Sequence, residues 1–267
     1  MKKTLTLIKL GGSVITNKEV PMMVRVDALN RLVKEIARAQ KETGSAVIIG
    51  HGQGSFGHAP ALRYKTMDGF INKDSLMGMA ITQDTAAMLN RIVVHELINE
   101  HIPAVSFAFS NTVITAGRQG KHWCFEVLAE YLANGLVPVT GGDVLVDQQQ
   151  GCTIWSTEQV LSHLAQHFGE EHGYQVNKII HVTEVDGMMT AGGELIPKVN
   201  RQNEAEVVKH LNGTKGFDVT GGMGHKVDES LQLLDKGIES YILSGLKQDN
   251  LYKALIGDGW VGTHVGN

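Results

Sequence analysis

The chain has 267 residues, of which 42% are hydrophobic, and its formal net charge at pH 7 is −4. A chain of this length buries a sizeable core, as one large α/β domain or as two fused lobes. The slight acidity excludes a general nucleic-acid binder, because affinity for a phosphate backbone needs a concentrated basic surface. Any anionic ligand must therefore be bound by a few local groups.

The start of the chain and its cysteines bear on where the protein works. The apolar run in "MKKTLTLIKLGG" ends quickly and contains Lys9, so it is too short and too interrupted for a signal peptide or a membrane span. Cys124 and Cys152 are too few for a disulfide framework, and we expect two reduced thiols. The sequence therefore predicts a cytoplasmic protein without a membrane partner.

Short apolar runs alternate with helical patterns along the chain. Helices are predicted over 26–40, 75–100, 157–168 and 226–235, with a further helical stretch between the third and fourth strands. The predicted strands are "TLTLIKL", "SAVIIG", "IPAVSFAF", "LVPVTGG", "NKIIHVTEVDG" and "ESYILSG", in chain order. Strands and helices that alternate at this spacing predict an α/β fold with a mostly parallel sheet covered on both faces.

The long helix predicted over 75–100 carries apolar residues on one face. That face consists of Leu76, Met79, Ala80, Leu89, Ile92, Val93 and Leu97. The apolar residues of its first half also include Met77, Met79, Ile81 and Met88. These four allow two interpretations, either ordinary core or the lining of an apolar channel, because flexible methionines adapt to a short alkyl chain.

Glycines follow the predicted strands in a regular way. Those that stand directly after a strand are Gly11, Gly12, Gly52, Gly54, Gly141 and Gly142. In open α/β sheets, ligands bind at the carboxyl ends of the strands. Several glycine turns at one edge therefore predict one large crevice for a polyanion.

The segment "HGQGSFGH" at 51–58 contains G-x-G-x-x-G, which is typical of dinucleotide sites. That motif needs a helix directly after the glycines. We expect none, because Pro60 follows closely and "RYKTMDGF" has no helical stripe. A nicotinamide or flavin enzyme is therefore not the interpretation we favour.

Other catalytic signatures are incomplete. The sequence has no G-x-x-x-x-G-K-[ST], and "HELINEH" lacks the second histidine of a zinc pair, so His95 and His101 are expected at the surface or at a helix end. Without G-x-S-x-G, Ser55 is predicted to be a loop hydroxyl that bonds backbone or phosphate rather than a nucleophile.

Lysines beside glycine turns are the candidate site residues that remain after these motifs are set aside. Lys9 lies on an otherwise apolar strand, where it is costly unless it is paired or faces a ligand, and Lys18 follows on a predicted loop. The alternatives are a snorkelling Lys9 and a solvated Lys18. In "DVTGGMGHK", Gly222 and Lys226 stand at the start of a predicted helix and offer backbone amides and a positive charge together, although an ordinary turn also fits.

Acidic residues follow two further strands. Glu184 and Asp186 lie in "VTEVDGMM", and Asp143 and Asp147 follow the double glycine in "TGGDVLVD". As an ordered set, from "LIKLGGSVITNK" through "HGQGSFGH" to "DVTGGMGHK", the motifs resemble the amino acid kinase superfamily. Within it they resemble the isopentenyl phosphate kinases, because of the loop that ends in His58. The resemblance covers nearly the whole chain.

The resemblance implies a three-layer αβα sandwich formed by a single domain over 1–267. Approximately 1–150 would bind the acceptor and approximately 151–267 would bind ATP, with Mg²⁺ carried on the nucleotide. It implies phosphorylation of isopentenyl phosphate to the diphosphate by a cytoplasmic homodimer. Two alternatives stay open: a fosfomycin-type kinase of another small phosphate or phosphonate, and a non-catalytic nucleotide-binding storage or regulatory protein. The lysine set argues against the latter.

The resemblance also implies roles for individual residues. The catalytic residues would be Lys9 at the transferring phosphoryl group, Lys18 in the transition state, and His58 at the acceptor phosphate. Glu158 would orient the lysines. ATP would contact Lys9, Gly11, Gly12, Ser13, Gly54, Glu184, Gly222 and Lys226, and the acceptor would contact Gln53, Gly54, His58 and Gly142.

Three residues depart from the pattern of the resembled family. Gln53 stands where a small residue is common, and we expect it to narrow the acceptor end of the loop. Glu158 and Glu184 stand where the related patterns have aspartate. The extra methylene of Glu158 is expected to shift the lysines that it orients.

Overall fold

The structure, a computed structural model, describes residues 2–211 and 222–267, with the backbone alone at 170, 171, 211 and 222–226. Two sheets organise it. The main sheet has the strand order β10-β12-β11-β9-β1-β2-β6-β3, and the small sheet has the order β5-β4-β7-β8. The strands are β1 (Lys3–Leu10), β2 (Ala46–His51), β3 (Ala104–Ser106), β4 (Val113–Ala116), β5 (Gln119–Trp123), β6 (Val137–Gly141), β7 (Asp143–Asp147), β8 (Gly151–Trp155), β9 (Tyr174–Thr183), β10 (Lys198–Val199), β11 (Glu239–Ser244) and β12 (Gly262–Val265).

Helices cover both faces of the main sheet. They are α1 (Gly12–Ile15), α2 (Val26–Thr43), α3 (Gly54–Tyr64), α4 (Ser75–Asn99), α5 (Glu126–Ala133), α6 (Thr157–His167), α7 (Gly169–His172), α8 (Glu204–Leu211), α9 (Gly222–Leu234) and α10 (Asn250–Ile256). Within the described residues, none of the helices combines the length and the hydropathy that a membrane crossing requires.

The central strand β1 shows why the main sheet forms. Its last six residues are all buried, on both faces, and it pairs in parallel with β2 and with β9. A strand buried on both sides needs a mostly apolar run, which Leu5, Leu7, Ile8 and Leu10 provide. The main sheet is parallel throughout except for the pair β11–β12. The predicted α/β class with a mostly parallel sheet is therefore confirmed.

Among the described residues, two large hydrophobic clusters cover the two faces of the main sheet, and a smaller one lies at its β10–β12 end. One core packs α2, α4 and α10 on one face, around Leu29, Leu32, Leu89 and Leu251. The other packs α6 and the small sheet on the opposite face, around Leu7, Leu145, Trp155 and Leu161. The three-layer arrangement follows from these two buried faces.

The helix α3 corrects a prediction, because a helix does follow the glycines of "HGQGSFGH". Pro60 lies inside it and removes one helical hydrogen bond. Phe56 is 2% exposed and packs in the first core. Burial of the Phe56 ring outweighs the local penalty of Pro60, so tertiary packing overrides the sequence preference.

The first half of α4 also differs from the prediction. Leu76 was expected on the apolar face but is 67% exposed, while Gly78, Thr82 and Ala86 are buried. A Cβ atom on Gly78 would lie 2.4 Å from the Cβ of Tyr64 in α3. Small residues are needed on the face of α4 that approaches α3 this closely. The larger side chains of α4, such as Leu76, therefore lie on its exposed face.

The small sheet was not predicted as such, although "LVPVTGG" leads into it. Its hairpin β4–β5 includes the polar strand "QGKHW", which has no apolar alternation. The carboxylate of Asp147 holds the sheet together and is 2% exposed. At 2.7–3.2 Å it accepts hydrogen bonds from the Thr115 hydroxyl and from the backbone N–H groups of Gly117, Arg118, Gln149 and Gln150.

Two further sequence predictions concern surface and thiol residues. His95 and His101 are exposed, on and just after α4, as predicted. Cys124 is exposed and Cys152 is buried, and both are free thiols. The expectation of two unpaired cysteines is therefore confirmed.

The environment of Asp147 makes the stability of the small sheet pH-dependent. Burial alone would raise the pKa of Asp147, but the backbone N–H groups outweigh burial and hold this pKa well below its usual value of about 3.9. A carboxyl whose folded-state pKa is depressed stabilises the protein above its unfolded-state pKa. That stabilisation fades as the pH falls toward the folded-state pKa.

We expect Asp147→Asn to lower the free energy of unfolding by about 1–3 kcal/mol at pH 7, since an amide NH₂ would face N–H donors. Urea unfolding measures the loss, and the difference from wild type should shrink at pH 3. The matched control is Asp258→Asn, because Asp258 is exposed. Equal stability of the Asp147 variant and wild type at pH 7 would contradict this account.

Candidate active site at the carboxyl edge of the sheet

Two glycine turns meet where β1 and β2 end. A Cβ atom on Gly12 would lie 2.5 Å from the nitrogen of Gly54, and one on Gly52 would lie 2.5 Å from the nitrogen of Gly12. Gly11 is equally confined, since its Cβ would lie 2.6 Å from the carbonyl oxygen of Val182 at the end of β9. Only glycine lets backbones approach this closely, and backbone N–H groups in such turns suit phosphate.

Thr16 joins the two turns. Its hydroxyl donates to the carbonyl oxygen of Gly12 at 2.7 Å and accepts from the backbone N–H of Ser55 at 3.1 Å. Gly54 has a φ of +48°, and a Cβ there would lie 2.0 Å from the Thr16 hydroxyl oxygen. Ser55 was expected on a loop but lies in the first turn of α3.

A third turn, at Gly141 and Gly142, is tied to the first two through Thr157 and Gln53. The Thr157 hydroxyl donates to the carbonyl oxygen of His51 at 2.7 Å and accepts from the N–H of Gly142 at 2.9 Å. The Gln53 amide donates to the carbonyl oxygen of Gly142 at 2.5 Å. Both backbone groups of Gly142 are therefore engaged inside the protein, and its role in acceptor binding stays a prediction.

A cavity of about 400 Å³ opens beside these turns, between α4, the loop after β3 and the ends of β2 and β6. Its lining includes Gln53, Gln83, Asn90, Thr140 and Asp143. It is a concave space of the size that small-molecule sites have. Gln53 lines it from the start of α3, and its predicted narrowing of an acceptor site stays a prediction.

A hydrogen-bonded chain fixes the wall of the cavity. Burial lowers the pKa of His51 to about 4, so the ring is neutral at pH 7. Its Nε2 lies 3.1 Å from the amide nitrogen of Asn90, which therefore donates to it. The Ser106 hydroxyl in turn donates to the Asn90 oxygen at 2.6 Å.

The four apolar residues of α4 singled out in the sequence do not line this cavity. Met77 and Met88 are 61% and 43% exposed, so both interpretations, core and channel, are wrong for them. Met79 and Ile81 are half-buried. The helix instead presents small and polar side chains to the cavity, Ala80, Gln83, Asp84, Ala86, Ala87 and Asn90.

Lys9 and Glu158 form an ion pair at this edge, in which Lys9 is buried and Glu158 is half-buried. Lys9 is 8% exposed, and its ammonium nitrogen donates to the Glu158 carboxylate. Burial alone would raise the pKa of Glu158, but the Lys9 ammonium reverses the shift and holds this pKa below its ordinary value. The alternative of a snorkelling Lys9 is wrong.

The start of α6 places Glu158. Ser156 is the N-cap, and its hydroxyl accepts from the backbone N–H of Gln159 while the Gln159 side chain accepts from the backbone N–H of Ser156. This capping box fixes where the helix begins. Glu158 lies in the first turn, where the positive end of the helix favours a carboxylate.

Lys18 has a different environment from Lys9. Its side chain is 67% exposed, and its ammonium nitrogen lies 3.4 Å from a carboxylate oxygen of Glu184. The other oxygen of Glu184 accepts from the Arg25 guanidinium at 3.1 Å. Glu184 thus joins the turn after β9 to the start of α2. Arg25 was not among the site residues predicted from the sequence.

The remaining predicted residues lie around the same edge. Ser13 lies in α1, and His58 is exposed in the second turn of α3. Gly222 begins α9, and Lys226 lies in that helix with its side chain outside the described part of the chain. Asp186, near Glu184, forms an ion pair of 2.8 Å with Lys247.

Comparison with known proteins adds to this geometry. A model of the amino acid kinase family matches residues 4–244. The chain belongs to the amino acid kinase family. The resemblance drawn from the ordered motifs is therefore confirmed. The matched residues include the glycine turns, Lys9 and α9.

Individual family members are similar over nearly the full length. The isopentenyl phosphate kinase of Methanocaldococcus jannaschii is 32% identical over 265 residues, which are 95% of this chain and 96% of the relative. That of Methanothermobacter thermautotrophicus is 34% identical over 270 residues, 97% and 98% of the two chains. A solved isopentenyl phosphate kinase structure superposes with a TM-score of 0.79 at 30% identity, covering 97% of this chain and 99% of that one.

Sequence reasoning missed several residues that build this family site. Thr16 and Thr157 join the turns through hydroxyl groups, and Arg25 shares Glu184 with Lys18. A threonine next to a glycine turn is a weak sequence signal for such a role. The pairing of Arg25 with Glu184 joins positions 159 residues apart, and no local pattern predicts it.

The close contact at Gly54 gives a test of the turn packing. We expect Gly54→Ala to destabilise the protein by about 2 kcal/mol more than Gly44→Ala, because overpacking adds to the backbone strain. Gly44 is the matched control, since its φ is +63° and no atom lies within 4 Å of an added Cβ. Urea unfolding compares the two variants. Equal losses would show that the contact with Thr16 carries no constraint.

Proposed function

We propose that this chain transfers the γ-phosphoryl group of ATP to isopentenyl phosphate, giving isopentenyl diphosphate and ADP. The observation that carries the proposal is the ion pair of the buried Lys9 with Glu158 at a glycine-lined sheet edge. It occurs in a chain that matches isopentenyl phosphate kinases at 32% and 34% identity over nearly their full length. Mg²⁺ would enter with ATP.

The chemistry fits the residues present. The acceptor oxygen belongs to a phosphate monoester whose second pKa is about 6, so near neutral pH it is ionised and needs no strong general base. The difficulty is to bring two polyanions together, which calls for fixed positive charge and N–H donors. Lys9 supplies the first, and the glycine turns at 11–12 and 52–54 supply the second.

The location of the cavity bears on which part of the chain would bind the acceptor and which would bind ATP. All of its lining residues lie between positions 51 and 143. This supports acceptor binding by approximately 1–150, with ATP bound by approximately 151–267 near α9. Gln53 and Gly54 would meet the acceptor phosphate, and Gly11, Gly12, Ser13, Glu184 and Gly222 would meet ATP.

The proposal assigns His58 to the acceptor phosphate as a hydrogen-bond donor. His58 is exposed in α3, four residues beyond Gly54, and so follows directly on the glycine turn. A ring N–H is available in both the neutral and the charged imidazole, and the charged ring binds a dianion better. Lys18 would stabilise the charge that develops in transfer.

We also propose a homodimer. Several large apolar side chains of α3 and α4 are exposed, namely Leu62, Leu76, Met77 and Met88. Exposed apolar surface of this kind is typical of interaction sites. These side chains support an interface between two copies of the chain.

An ADP-release assay with Mg²⁺ and ATP tests the activity. We expect isopentenyl phosphate to give a higher kcat/KM than fosfomycin, with dimethylallyl phosphate and other small phosphates as comparison acceptors. A far higher kcat/KM for fosfomycin would replace the proposal by the phosphonate kinase. ATP binding without turnover of any acceptor would favour a storage or regulatory protein, and saturable NAD binding without ATP binding would exclude every kinase assignment.

Two substitutions at His58 separate the donor role from a general-base role. His58→Gln keeps an N–H donor but no base, so we expect measurable kcat and a raised KM for the alkyl phosphate. His58→Ala keeps neither and should lose roughly 10–100-fold in kcat/KM. The KM for ATP should stay near wild type in both. Equal and complete loss, with acceptor binding unchanged by calorimetry, would contradict the donor role.

A further inference from the structure

His181 lies beside Lys9 on the same face of the main sheet. The parallel register of β1 and β9 pairs Lys9 with His181 and Leu7 with Ile179. Side chains at paired positions of neighbouring parallel strands point to the same face, and such strands lie about 4.8 Å apart. Two potential cations therefore stand next to each other below the glycine turns.

Two carboxylates and three hydroxyl groups close the space around these side chains. Lys9 and His181 line a small pocket together with Glu158 from α6 and Glu229 from α9. The pocket measures about 20 Å³, roughly the room that one water molecule needs. Its polar lining also includes Ser162, Thr183 and Ser230.

Two basic side chains in this pocket, Lys9 and His181, favour the charged form of Glu158. Its carboxylate bonds the Lys9 ammonium directly. The pKa of Glu158 lies below its ordinary value although burial raises it, chiefly because of Lys9 and to a smaller extent because of His181. The titratable groups that face His181 are Lys9 from β1, Glu158 from α6 and Glu229 from α9.

The length of the Glu158 side chain bears on how its carboxylate is held in one orientation. A carboxylate on two methylenes has one more rotatable bond than an aspartate and needs a second contact to hold one orientation. Lys9 alone fixes one oxygen. His181, on the strand next to Lys9, lines the same small pocket as Glu158 and is placed to give the carboxylate a second contact.

We infer that His181 is a positioning residue of the kinase, which holds the Glu158 carboxylate in the orientation that aims Lys9 at the transferring phosphoryl group. The inference rests on the proposed function for the role of Lys9. The placement of His181 beside Glu158 follows from the strand register and the pocket lining and is independent of that function. Through Glu229 the same pocket contacts α9, so the helix that begins at Gly222 is packed against the group that orients Lys9.

A double-mutant cycle tests the action through Glu158. We expect His181→Leu to lower kcat about tenfold, with the KM values for ATP and acceptor within about twofold of wild type. His181→Gln keeps a donor and should retain most of the rate. In the Glu158→Asp background, where the carboxylate is withdrawn by one methylene, His181→Leu should change kcat little further. His95→Gln is the control at an exposed histidine.

Full additivity of the two substitutions, or a loss confined to the KM values, would overturn the inference. So would an unchanged kcat in His181→Leu. Thermal melting of each variant shows whether a loss of rate comes from unfolding. A merely structural role would lower the melting temperature without the rescue by glutamine.

A measurement without turnover separates this inference from the proposed function. NMR follows the ring of His181 through a pH titration, and its signal is assigned as the one absent in His181→Gln. We expect the pKa of His181 to be lower in Glu158→Gln than in wild type, because a neighbouring carboxylate stabilises the charged ring. An unchanged pKa would refute the contact even if the kinase assay succeeds. A lowered pKa would uphold the contact even if isopentenyl phosphate is not the acceptor.

Discussion

The buried ammonium of Lys9 is the constraint on which the rest of the site depends. A charge on a strand that is otherwise apolar and buried on both faces is tolerated only with a partner of opposite sign. Glu158 is that partner, and it can reach Lys9 only if α6 begins where it does. The capping box of Ser156 and Gln159 therefore helps to position the partner of the buried Lys9 ammonium.

The same first turn of α6 also holds the sheet edge together. The Thr157 hydroxyl bonds the carbonyl oxygen of His51 and the N–H of Gly142, so the ends of β2 and β6 are linked to the helix that carries Glu158. The carbonyl of Gly142 is bonded in turn by Gln53. Lys9 and the wall of the cavity beside α4 are consequently connected by one set of contacts, which includes the close packing of Gly12 with Gly54.

Much of this was predictable from the sequence because its causes are local. Apolar runs predicted the parallel strands, and glycines after them predicted the edge at which the site forms. Lys9 stood out because the strand around it is apolar. Glu158, by contrast, was reached only through the resemblance to the kinase superfamily, since the residues near it in sequence say nothing about Lys9.

What was not predictable depends on partners distant in the sequence. The helix α3 forms despite Pro60 because Phe56 is buried under the rest of the domain. The polar strand β5 is held by its pairing with β4 in a sheet whose turns depend on Asp147. Leu76 is exposed because the face of α4 that packs on Tyr64 of α3 is the one that carries the small Gly78. His181 looked like an ordinary strand residue until the register placed it next to Lys9.

The two lysines of the proposed kinase differ in freedom of movement, because Lys9 pairs with Glu158 in the interior and Lys18 pairs with Glu184 near the surface. Lys9 is fixed in a low-dielectric interior, whereas Lys18 is held by one exposed ion pair, worth about 0–1 kcal/mol. Glu184 has a second partner in Arg25, which bonds its other carboxylate oxygen. In the proposed kinase, Lys18 would therefore be able to move with the phosphoryl group at little cost. Its ion pair weakens with ionic strength, while the buried charge of Lys9 is shielded from dissolved salt.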